Sequence, residues 1–525
     1  MRFFNLRTIR TKSVWALVLV SLGFQACQDH RMPPPQVELP DQVFYALTDN
    51  NVIYELNVRN SATPVRTITI SEGLETGDKL VGIDFRPATG QLYAVGKNSR
   101  LYNINLNSAN KPGLATLIGT AAFGPAITAT AVGFDFNPTV DRIRFVTNTA
   151  QNLRLHPETG ALAFTDGNLS GVSNPRVGAV AYTNSFSGTT ATALYDIDPS
   201  SDQLYFQKDP NGGILEVVGS LGLDITEVGG FDIAPFKTPA GKDYAITSVL
   251  FNGAWELDYV DIMTGKLQKL GNLPAGNIIG IAIPSPVAYA LSATDKLLIF
   301  NPMSTNISVI EKTISGLPMG VTLEGIDFRP ADATIYGVGS DSKVYTINIL
   351  TGAVTFRSTL SVPLSGGADA SYGVDFNPFA NLLRVVSNTG QNLRINVDTG
   401  VTSVDTPLTF SGTSKGVNGA AYTNSNVGLT VAGQTMLFDL DSQSNKLYKQ
   451  DPMPNAGVLV EVGNLGVTID KSNGFDIGGI SGLGYGLLTV GGTSGLYAIN
   501  LTTGAATKIS NFPTGVKGFA LGFNM

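Results

Sequence analysis

One short phrase recurs ten times along this chain, and its spacing constrains the fold more than any other feature. The phrase is a glycine, an apolar residue, often an aspartate, and a second apolar residue before a turn, as in VGIDFRP at 81–87 and VGFDFNP at 132–138. Successive copies lie 44 to 55 residues apart. The ten glycines are Gly82, Gly133, Gly178, Gly230, Gly280, Gly325, Gly373, Gly419, Gly474 and Gly518. A unit of this length matches one blade of a β-propeller.

Each unit reads as four short strands separated by turns. After Gly82 come QLYAVG, RLYNINL and ATLIGT, which are short apolar or alternating runs, and turns such as PETG at 157–160 separate a third strand from a fourth. The chain has 59 Gly and 27 Pro, and only 14% of its residues are charged, which favours strands and turns over helices. We therefore predict an all-β protein of four-stranded antiparallel blades, with almost no helix.

The chain also has a longer repeat, because corresponding glycines of its two halves are 238 to 244 residues apart. Residues 42–285 and 286–525 are therefore predicted to be two β-propeller repeats of five blades each. Each half begins on a second strand and ends on a first strand. The halves can close separately as two five-bladed rings, or IIGIAI and VAYALS can form a hairpin within one ten-bladed ring. We favour two tandem rings because propellers of four to eight blades are common.

The N-terminus predicts export and a lipid anchor. Residues 1–26 combine a basic start with an apolar run too short to span a bilayer, as in a signal peptide. Cys27 is the only cysteine and follows this run directly, which resembles the lipobox of bacterial lipoproteins. Residues 27–41 are polar and Pro-rich and are predicted to be an extended tether. We expect an outer-membrane lipoprotein of the bacterial cell envelope, periplasmic or surface-exposed.

Charge and composition exclude several function classes. The chain has a net charge of −7, and removal of the basic leader makes it −11, so nucleic acid is a poor partner. Two His and one Cys exclude a multi-histidine metal site, a Cys-based zinc site and internal disulfides. We expect no cofactor, no bound metal and a monomer.

Two stretches resemble a known family. FDFNPTVDRIRFVTNTAQNLRLHPETG at 134–160 and its counterpart at 374–400, together with the A-Y-T-N-S elements that follow each, are similar to the bacterial domain-of-unknown-function 4394 family. The similarity covers nearly all of both halves. The resemblance implies repeated, exported, propeller-like domains, and it implies no activity.

The third blade carries the candidate binding residues. Segments 134–154 and 374–394 are identical at 12 of 21 positions. Their amides and guanidinium groups would suit a sugar or a carboxylate if they converged at one face of a ring. The competing interpretation is structural, with buried ion pairs and capped turns. The candidates are Asp135, Arg144, Asn148, Gln151, Asn152 and Arg154, and their counterparts Asp375, Arg384, Asn388, Gln391, Asn392 and Arg394.

Two further features are candidate sites. Six aspartates of the repeated phrase could line a channel, where they would need to be paired or to bind a hard cation such as Ca²⁺, or they could bond outward to backbone amides. They are Asp84, Asp135, Asp232, Asp327, Asp375 and Asp476. His156 precedes a proline turn and corresponds to Asn396, so the expectation for it is a solvated turn residue.

The resulting hypothesis is an envelope-anchored binding or scaffold protein for a glycan or protein ligand, without catalysis. The alternatives are a carbohydrate-active hydrolase or lyase that uses the repeated Asp and Arg residues, and a purely structural surface protein. An enzyme of this kind needs two carboxylates with separated pKa values in one cleft. Aspartates that are hydrogen-bonded to the backbone favour the scaffold.

Overall fold

The structure is a computed structural model that describes residues 29–33, 39–106, 112–238, 241–367, 370–411, 413, 414, 416–426, 433–470, 474–523 and 525. Within these ranges the chain is all-β, and its one helical element is a single 3-10 turn at Pro454–Ala456. No helix in the described part of the chain is long and apolar enough to cross a bilayer. The signal segment 1–26 and Cys27 lie outside the described residues, so their processing stays a prediction.

The first half forms five four-stranded antiparallel sheets, which are blades 1 to 5. Blade 1 consists of β1 (Val43–Thr48), β2 (Val52–Asn57), β3 (Arg66–Thr69) and, from the end of this half, β20 (Ile278–Ala282). Blade 2 consists of β4 (Leu80–Phe85), β5 (Leu92–Gly96), β6 (Arg100–Asn105) and β7 (Leu114–Ile118). Blade 3 consists of β8 (Val132–Asn137), β9 (Arg142–Thr147), β10 (Asn152–Leu155) and β11 (Leu162–Thr165). Blade 4 consists of β12 (Ala179–Tyr182), β13 (Leu194–Asp198), β14 (Gln203–Asp209) and β15 (Ile214–Ser220). Blade 5 consists of β16 (Glu227–Lys237), β17 (Asp243–Phe251), β18 (Ala254–Val260) and β19 (Leu267–Asn272).

The second half repeats this arrangement as blades 6 to 10. Blade 6 consists of β21 (Ala288–Ser292), β22 (Lys296–Phe300), β23 (Ile310–Thr313) and, from the end of this half, β42 (Val516–Leu521). Blade 7 consists of β24 (Leu323–Arg329), β25 (Thr334–Gly339), β26 (Lys343–Ile347) and β27 (Val354–Thr359). Blade 8 consists of β28 (Tyr372–Asn377), β29 (Leu382–Ser387), β30 (Asn392–Ile395) and β31 (Thr402–Val404), followed by a two-stranded ribbon of β32 (Thr409–Phe410) and β33 (Thr413–Ser414). Blade 9 consists of β34 (Val417–Tyr422), β35 (Leu437–Asp441), β36 (Lys446–Gln450) and β37 (Leu459–Asn464). Blade 10 consists of β38 (Gly474–Ile477), β39 (Gly484–Val490), β40 (Thr493–Ile499) and β41 (Ala506–Asn511).

Each half closes on itself. Strand β20 pairs antiparallel with β1, with Ala46 opposite Ile281, and β42 pairs with β21, with Ala290 opposite Phe519. The first strands of blades 2, 3, 4 and 5 and then β20 contact one another in turn, and β20 contacts the first strand of blade 2. The five first strands of the second half make the same circle. The fold is therefore two tandem five-bladed propellers, and the alternative of one ten-bladed ring is wrong.

Glycine is required in the first strands because the blades are closest there. A Cβ at Gly230 would lie 2.3 Å from the backbone nitrogen of Ile281 in the next blade, and one at Gly474 would lie 2.2 Å from the Cβ of Phe519. Neither neighbour can move without breaking the strand pairing around the ring. The repeated glycine of the sequence thus marks the closest approach of adjacent blades.

The apolar core lies between blades, which explains why most strands bury both faces. Between blades 2 and 3, for example, Tyr93 and Val95 pack against Phe134 and Phe136, and the rings of Tyr93 and Phe136 meet edge to face at 5.1 Å. Similar clusters lie between other neighbouring blades in both rings. Such interlocked layers make each ring one rigid unit.

Buried hydrogen bonds join the two rings. The hydroxyl of Tyr289, a fully buried residue of blade 6, donates to the carbonyl of Ala88 at 2.8 Å and lies 2.8 Å from the hydroxyl of Ser187. The backbone N–H of Phe523 donates to the carbonyl of Thr89 at 2.8 Å. Ala88, Thr89 and Ser187 all lie in turns between a first and a second strand. The two rings therefore meet through the face of the first ring that carries these turns.

The beginning of the described chain packs against blade 5 instead of extending away from it. The N–H of Met32 donates to the carbonyl of Leu267 at 2.8 Å, which makes a short parallel bridge beside β19. The guanidinium of Arg31 is buried and lies 2.7 Å from Glu256 and 2.9 Å from Asp258. Residues 27–41 were predicted to be an extended tether, and this is wrong for residues 29–33. The cause is that two buried carboxylates of β18 provide the counter-charge for Arg31.

Candidate functional site

The aspartates of the repeated phrase form two triads, one in each ring. Asp84, Asp135 and Asp232 each place a carboxylate oxygen within 4.8 Å of the others, and all three are buried. Asp327, Asp375 and Asp476 form the same group in the second ring. Because the rings close separately, the six aspartates do not line a single channel.

The triads also connect blades. Asp84 accepts hydrogen bonds from the N–H of Phe85 at 2.7 Å and from the N–H of Phe136 in the next blade at 2.7 Å. Asp232 likewise accepts from Ile233 at 2.6 Å and from Ile283 at 2.5 Å, across the closure of the ring. The aspartates therefore accept backbone N–H groups, as the structural interpretation predicts. That interpretation did not predict that three of them would lie close together in each ring.

Burial changes the acid strength of these groups. It raises the pKa of Asp232 to about 7 and that of Asp476 to about 7, and backbone N–H donors only partly oppose it. Burial and the charge of Asp232 raise the pKa of Asp84 as well. Three carboxylates this close cannot all ionise without a counter-charge, so protons are retained near neutral pH. Their three oxygens are also chemically suited to a hard cation such as Ca²⁺.

Arg144 is the centre of a buried network between blades 3 and 4. Its Nη1 donates to Asn152 at 2.7 Å and to Asp166 at 2.6 Å, and its Nε donates to the hydroxyl of Tyr182 at 3.2 Å. Its Nη2 donates to Asn211 at 3.1 Å. Since only 1% of the Arg144 side chain is exposed, this guanidinium is not available to a ligand.

The second ring repeats the network with the same residue types. Arg384 donates to Asn392 at 2.6 Å, to Asp405 at 2.7 Å, to Tyr422 at 3.1 Å and to Asn455 at 2.9 Å. Arg154 and Arg394 complete the two networks through paired bonds to Asp166 and Asp405, respectively. The identity between the halves in this region therefore coincides with a shared contact between blades.

Sequence reasoning missed several partners in these networks. The acids Asp166 and Asp405 each follow the last residue of the fourth strand, and Asn211 and Asn455 lie in the next blade. The tyrosines, Tyr182 and Tyr422, belong to the A-Y-T-N-S elements, which carry the family resemblance. A signal was present, because DPNGG at 209–213 and DPMPNAG at 451–457 carry the two asparagines at corresponding positions.

The remaining candidates lie apart, on the turn between the second and third strands. Asn148 donates to the hydroxyl of Thr130 at 2.8 Å, and the side-chain oxygen of Asn388 accepts from the N–H of Ser371 at 3.1 Å. Gln391 accepts from the N–H of Ser365 at 2.8 Å. These amides are at a surface turn, whereas Arg144, Asn152 and Asp135 are buried, so the twelve candidates do not converge on one open site.

Two further buried acids neighbour these networks. Asp196 of β13 is fully buried, and neither of its carboxylate oxygens has a hydrogen-bond partner among the described residues. Burial raises its pKa, which Arg144 partly opposes. Burial similarly raises the pKa of Asp439, its counterpart in the second ring, to about 7. Protonation removes the need for a counter-charge at these positions.

An open concave site lies between the two rings. A cavity of about 330 Å³ has Arg142, His156 and Glu158 of blade 3 on one side and residues 333–335, 346–350 and 355 of blade 7 on the other. A second cavity of about 260 Å³ adjoins it and shares Arg86 and Glu158. Pockets of a few hundred Å³ at domain junctions are common ligand sites. We call these two connected cavities the inter-ring cleft.

His156 was expected to be a solvated turn residue, and it lies in this cleft. Its Nδ1 accepts the N–H of Glu158 at 3.2 Å, so the neutral imidazole carries its proton on Nε2. Burial and the charge of Arg142 lower its pKa.

Comparison with known proteins identifies a family. The sequence profile described as "Domain of unknown function (DUF4394)" matches residues 56–282 and 296–520. No curated protein matches the chain. Among solved structures, the computationally designed Ika8 protein is 10% identical, with a TM-score of 0.23 over 78% of this chain and 93% of its own. BamB from Moraxella catarrhalis is 10% identical, with a TM-score of 0.21 over 77% of this chain and 90% of its own.

Proposed function

The chain belongs to the DUF4394 family, and from its geometry we propose a non-catalytic binding protein of the bacterial cell envelope whose ligand occupies the inter-ring cleft. The observation that carries this proposal is that one set of polar residues stabilises the rings and a different set lines the cleft. The triad aspartates and the arginine networks, which both halves share, bond within and between blades. The blade 3 wall of the cleft instead carries Arg142 and His156, which the second half replaces with Leu382 and Asn396. Buried hydrogen bonds between the rings hold the two walls of this cleft in place.

The alternative of a carbohydrate-active enzyme is less well supported. Paired-carboxylate chemistry needs two carboxylates that face an open cleft. The triad aspartates are buried and accept backbone N–H groups. The carboxylates that line the cleft are each in an ion pair, Asp141 and Glu158 with Arg86 and Asp332 with Arg329.

The envelope location rests on the sequence of the N-terminus. Cys27 follows the apolar run, and His30 and Met32, which bond to the first ring, lie three and five residues later. An anchor on Cys27 would therefore place the outer edge of blade 5 next to the membrane. Labelled palmitate should enter the wild-type protein and not the Cys27→Ser variant. Absence of label from the wild type would remove the anchor from the proposal.

Binding is tested with the mature chain, made soluble by Cys27→Ser, against immobilised envelope polysaccharides and envelope proteins. We expect saturable binding to at least one of them, with no new reducing ends in the polysaccharide. Release of reducing ends that disappears in Glu158→Gln would favour the enzyme instead. A protein that binds no member of the panel would leave the structural surface protein as the better interpretation.

A further inference from the structure

Two polar residues on the blade 3 wall of the inter-ring cleft are replaced in the other copy of the repeat. Arg142 corresponds to Leu382, and His156 corresponds to Asn396. The turn itself is unchanged, since Asn396 accepts the N–H of Asp398 at 3.0 Å, as His156 accepts that of Glu158. Asparagine therefore satisfies this turn, and the imidazole adds a group that the turn does not need.

On the first wall of the cleft, which blade 3 forms with Arg86, one arginine has no carboxylate partner among the described residues and can bind an anion. Arg86 is held by Asp141 and also contacts Glu158 at 3.2 Å. Arg142 lies in no ion pair with any described residue, and its Nη1 donates to the carbonyl of Asp141 at 2.8 Å. Leu155 is paired with Ile143 across β9 and β10, so His156 is directly opposite Arg142 on the same face. A guanidinium and an imidazole N–H thus lie side by side in the cleft.

The second wall, formed by blade 7, carries three threonines and one asparagine among apolar residues. Thr346 of β26 is opposite Thr355 of β27 in the register, so their side chains share one face of blade 7. Thr334 and Asn348 line the same cavity. This wall provides hydrogen-bond donors and acceptors without a charge, which suits a ligand that carries several hydroxyl groups.

We propose that the inter-ring cleft binds an anionic sugar, with the carboxylate of the sugar on Arg142 and His156 and its hydroxyl groups on the threonine wall of blade 7. This inference rests on the proposed binding function and names the class of its ligand. A planar guanidinium can bind a carboxylate through two parallel hydrogen bonds, which a neutral sugar cannot supply. The cavity of about 330 Å³ is at the lower end of small-molecule pockets and suits a short saccharide.

The electrostatics of His156 support an anion at this position. Burial, Arg142 and Arg86 lower its pKa, and Glu158 and Asp141 oppose the two arginines. The blade 7 residues that line the larger cavity include no titratable group, and Asp332, which lines the adjoining cavity, is paired with Arg329. An anion bound beside the imidazole favours its charged form, so by linkage the affinity increases as the pH falls.

The experiment measures binding to the mature Cys27→Ser chain by titration calorimetry. Sodium D-glucuronate is the probe, and D-glucose and sodium acetate are the comparisons. We expect saturable binding of glucuronate, with glucose and acetate each at least tenfold weaker. Arg142→Leu should weaken glucuronate binding at least tenfold. His156→Asn should remove the increase in affinity toward lower pH. Both variants introduce the residue of the other half, and Arg176→Leu, an exposed arginine outside the cleft, is the control.

Loss of binding in Arg176→Leu as well as in Arg142→Leu would overturn the assignment, and so would equal affinity for glucose. Thermal melts confirm that each variant is folded. If the protein binds an envelope polymer but glucuronate neither binds nor competes, the ligand class is wrong and the binding function stands. If it binds neither polymer nor glucuronate, both proposals fail.

Discussion

Single residues near the axis determine how closely the blades of each ring pack. The first strands carry glycine where a neighbouring backbone or Cβ lies within about 2 to 3 Å of the position that a side chain would take. Two positions beyond each such glycine, an aspartate often bonds to the adjacent blade. The repeated sequence therefore explains both the close approach of adjacent blades, through its glycine, and the hydrogen bonds between them, through its aspartate.

Gly230→Ala should destabilise the first ring, because its new Cβ would lie 2.3 Å from the nitrogen of Ile281. Overpacking of this kind costs about 1–3 kcal/mol. Gly515→Ala is the matched control, since no atom lies within 4 Å of its Cβ position. Urea unfolding should give a lower midpoint for the first variant and the wild-type midpoint for the second. Equal midpoints would contradict the close approach.

Arg144→Met should lower the free energy of unfolding of the first ring by about 3–5 kcal/mol, the usual cost of removing one partner of a buried ion pair. Asp166, with 5% of its side chain exposed, would keep only Arg154. Arg154→Met should cost less, because 20% of that arginine side chain is exposed. Calorimetric melting compares the two variants. An Arg144→Met protein as stable as the wild type would mean that the network is not structural.

At the scale of elements, the free edge of an outer strand provides the docking site for the segment that precedes the first ring. Residues 29–33 add a short parallel bridge beside β19, the outer strand of blade 5. Arg31 fixes this segment by neutralising Asp258, which is fully buried, and Glu256, which also pairs with Lys269 at 2.5 Å. The segment therefore acts as part of the first ring.

Arg31→Ala should destabilise blade 5, since it leaves Asp258 buried without a cation. The pKa of Asp258 is about 6 because burial outweighs Arg31, and it should increase further in the variant. Because a raised folded-state pKa removes stability as the pH rises through it, the cost should be larger at pH 8 than at pH 5. Thermal melts at both pH values test this, with the exposed Arg59→Ala as the control. A cost independent of pH would contradict the role given to Asp258.

At the scale of the whole molecule, two closed rings are joined through buried contacts. In each ring the last strand of the half pairs with the first strand of the same half, β20 with β1 and β42 with β21. No strand edge is therefore left unpaired where the chain passes from one half to the other. The joint buries Tyr289 and leaves the inter-ring cleft beside it. Folding of a ring and formation of the cleft are therefore separable.

A fragment of residues 29–285 should fold alone as a monomer. It contains the pairing of β20 with β1 and the docked segment around Arg31. Sedimentation should give the mass of a single copy, and unfolding should be cooperative. A stable dimer would indicate that the fragment lacks a partner strand.

The two triads predict an unusual dependence of stability on pH. The folded-state pKa values of Asp232 and Asp476 are about 7, above the ordinary aspartate value, because burial favours the neutral form. Stability from these groups is therefore present at acid pH and is lost as the pH rises from about 4 through 7. The melting temperature should be higher at pH 5.5 than at pH 8.

Asp135→Asn should flatten this dependence, because the amide removes one charge while its oxygen still accepts the N–H of Tyr182. Asp232→Asn is the contrasting variant, since both oxygens of Asp232 accept backbone donors and one of those bonds would be lost. Melting curves of the three proteins at both pH values test the assignment. Stability that increases with pH and with added Ca²⁺ would show instead that a cation neutralises the triads.

The sequence by itself determined the all-β class, the length of a blade and the duplication, because strand alternation, turn residues and glycine at the axis are local requirements repeated ten times. It also identified Arg144, Asn152 and Arg154 as a set, but not their partners. Asp166 is 22 residues from Arg144 and is brought to it by strand pairing within blade 3, whereas Asn211 is 67 residues away and is brought to it by the packing of blade 4 on blade 3. Closure was decided by tertiary structure as well, because the same strands satisfy their hydrogen bonds in one ring or in two. The docking of Arg31 and the cleft beside His156 depend on contacts between distant segments, where burial and charge act only after the rings have formed.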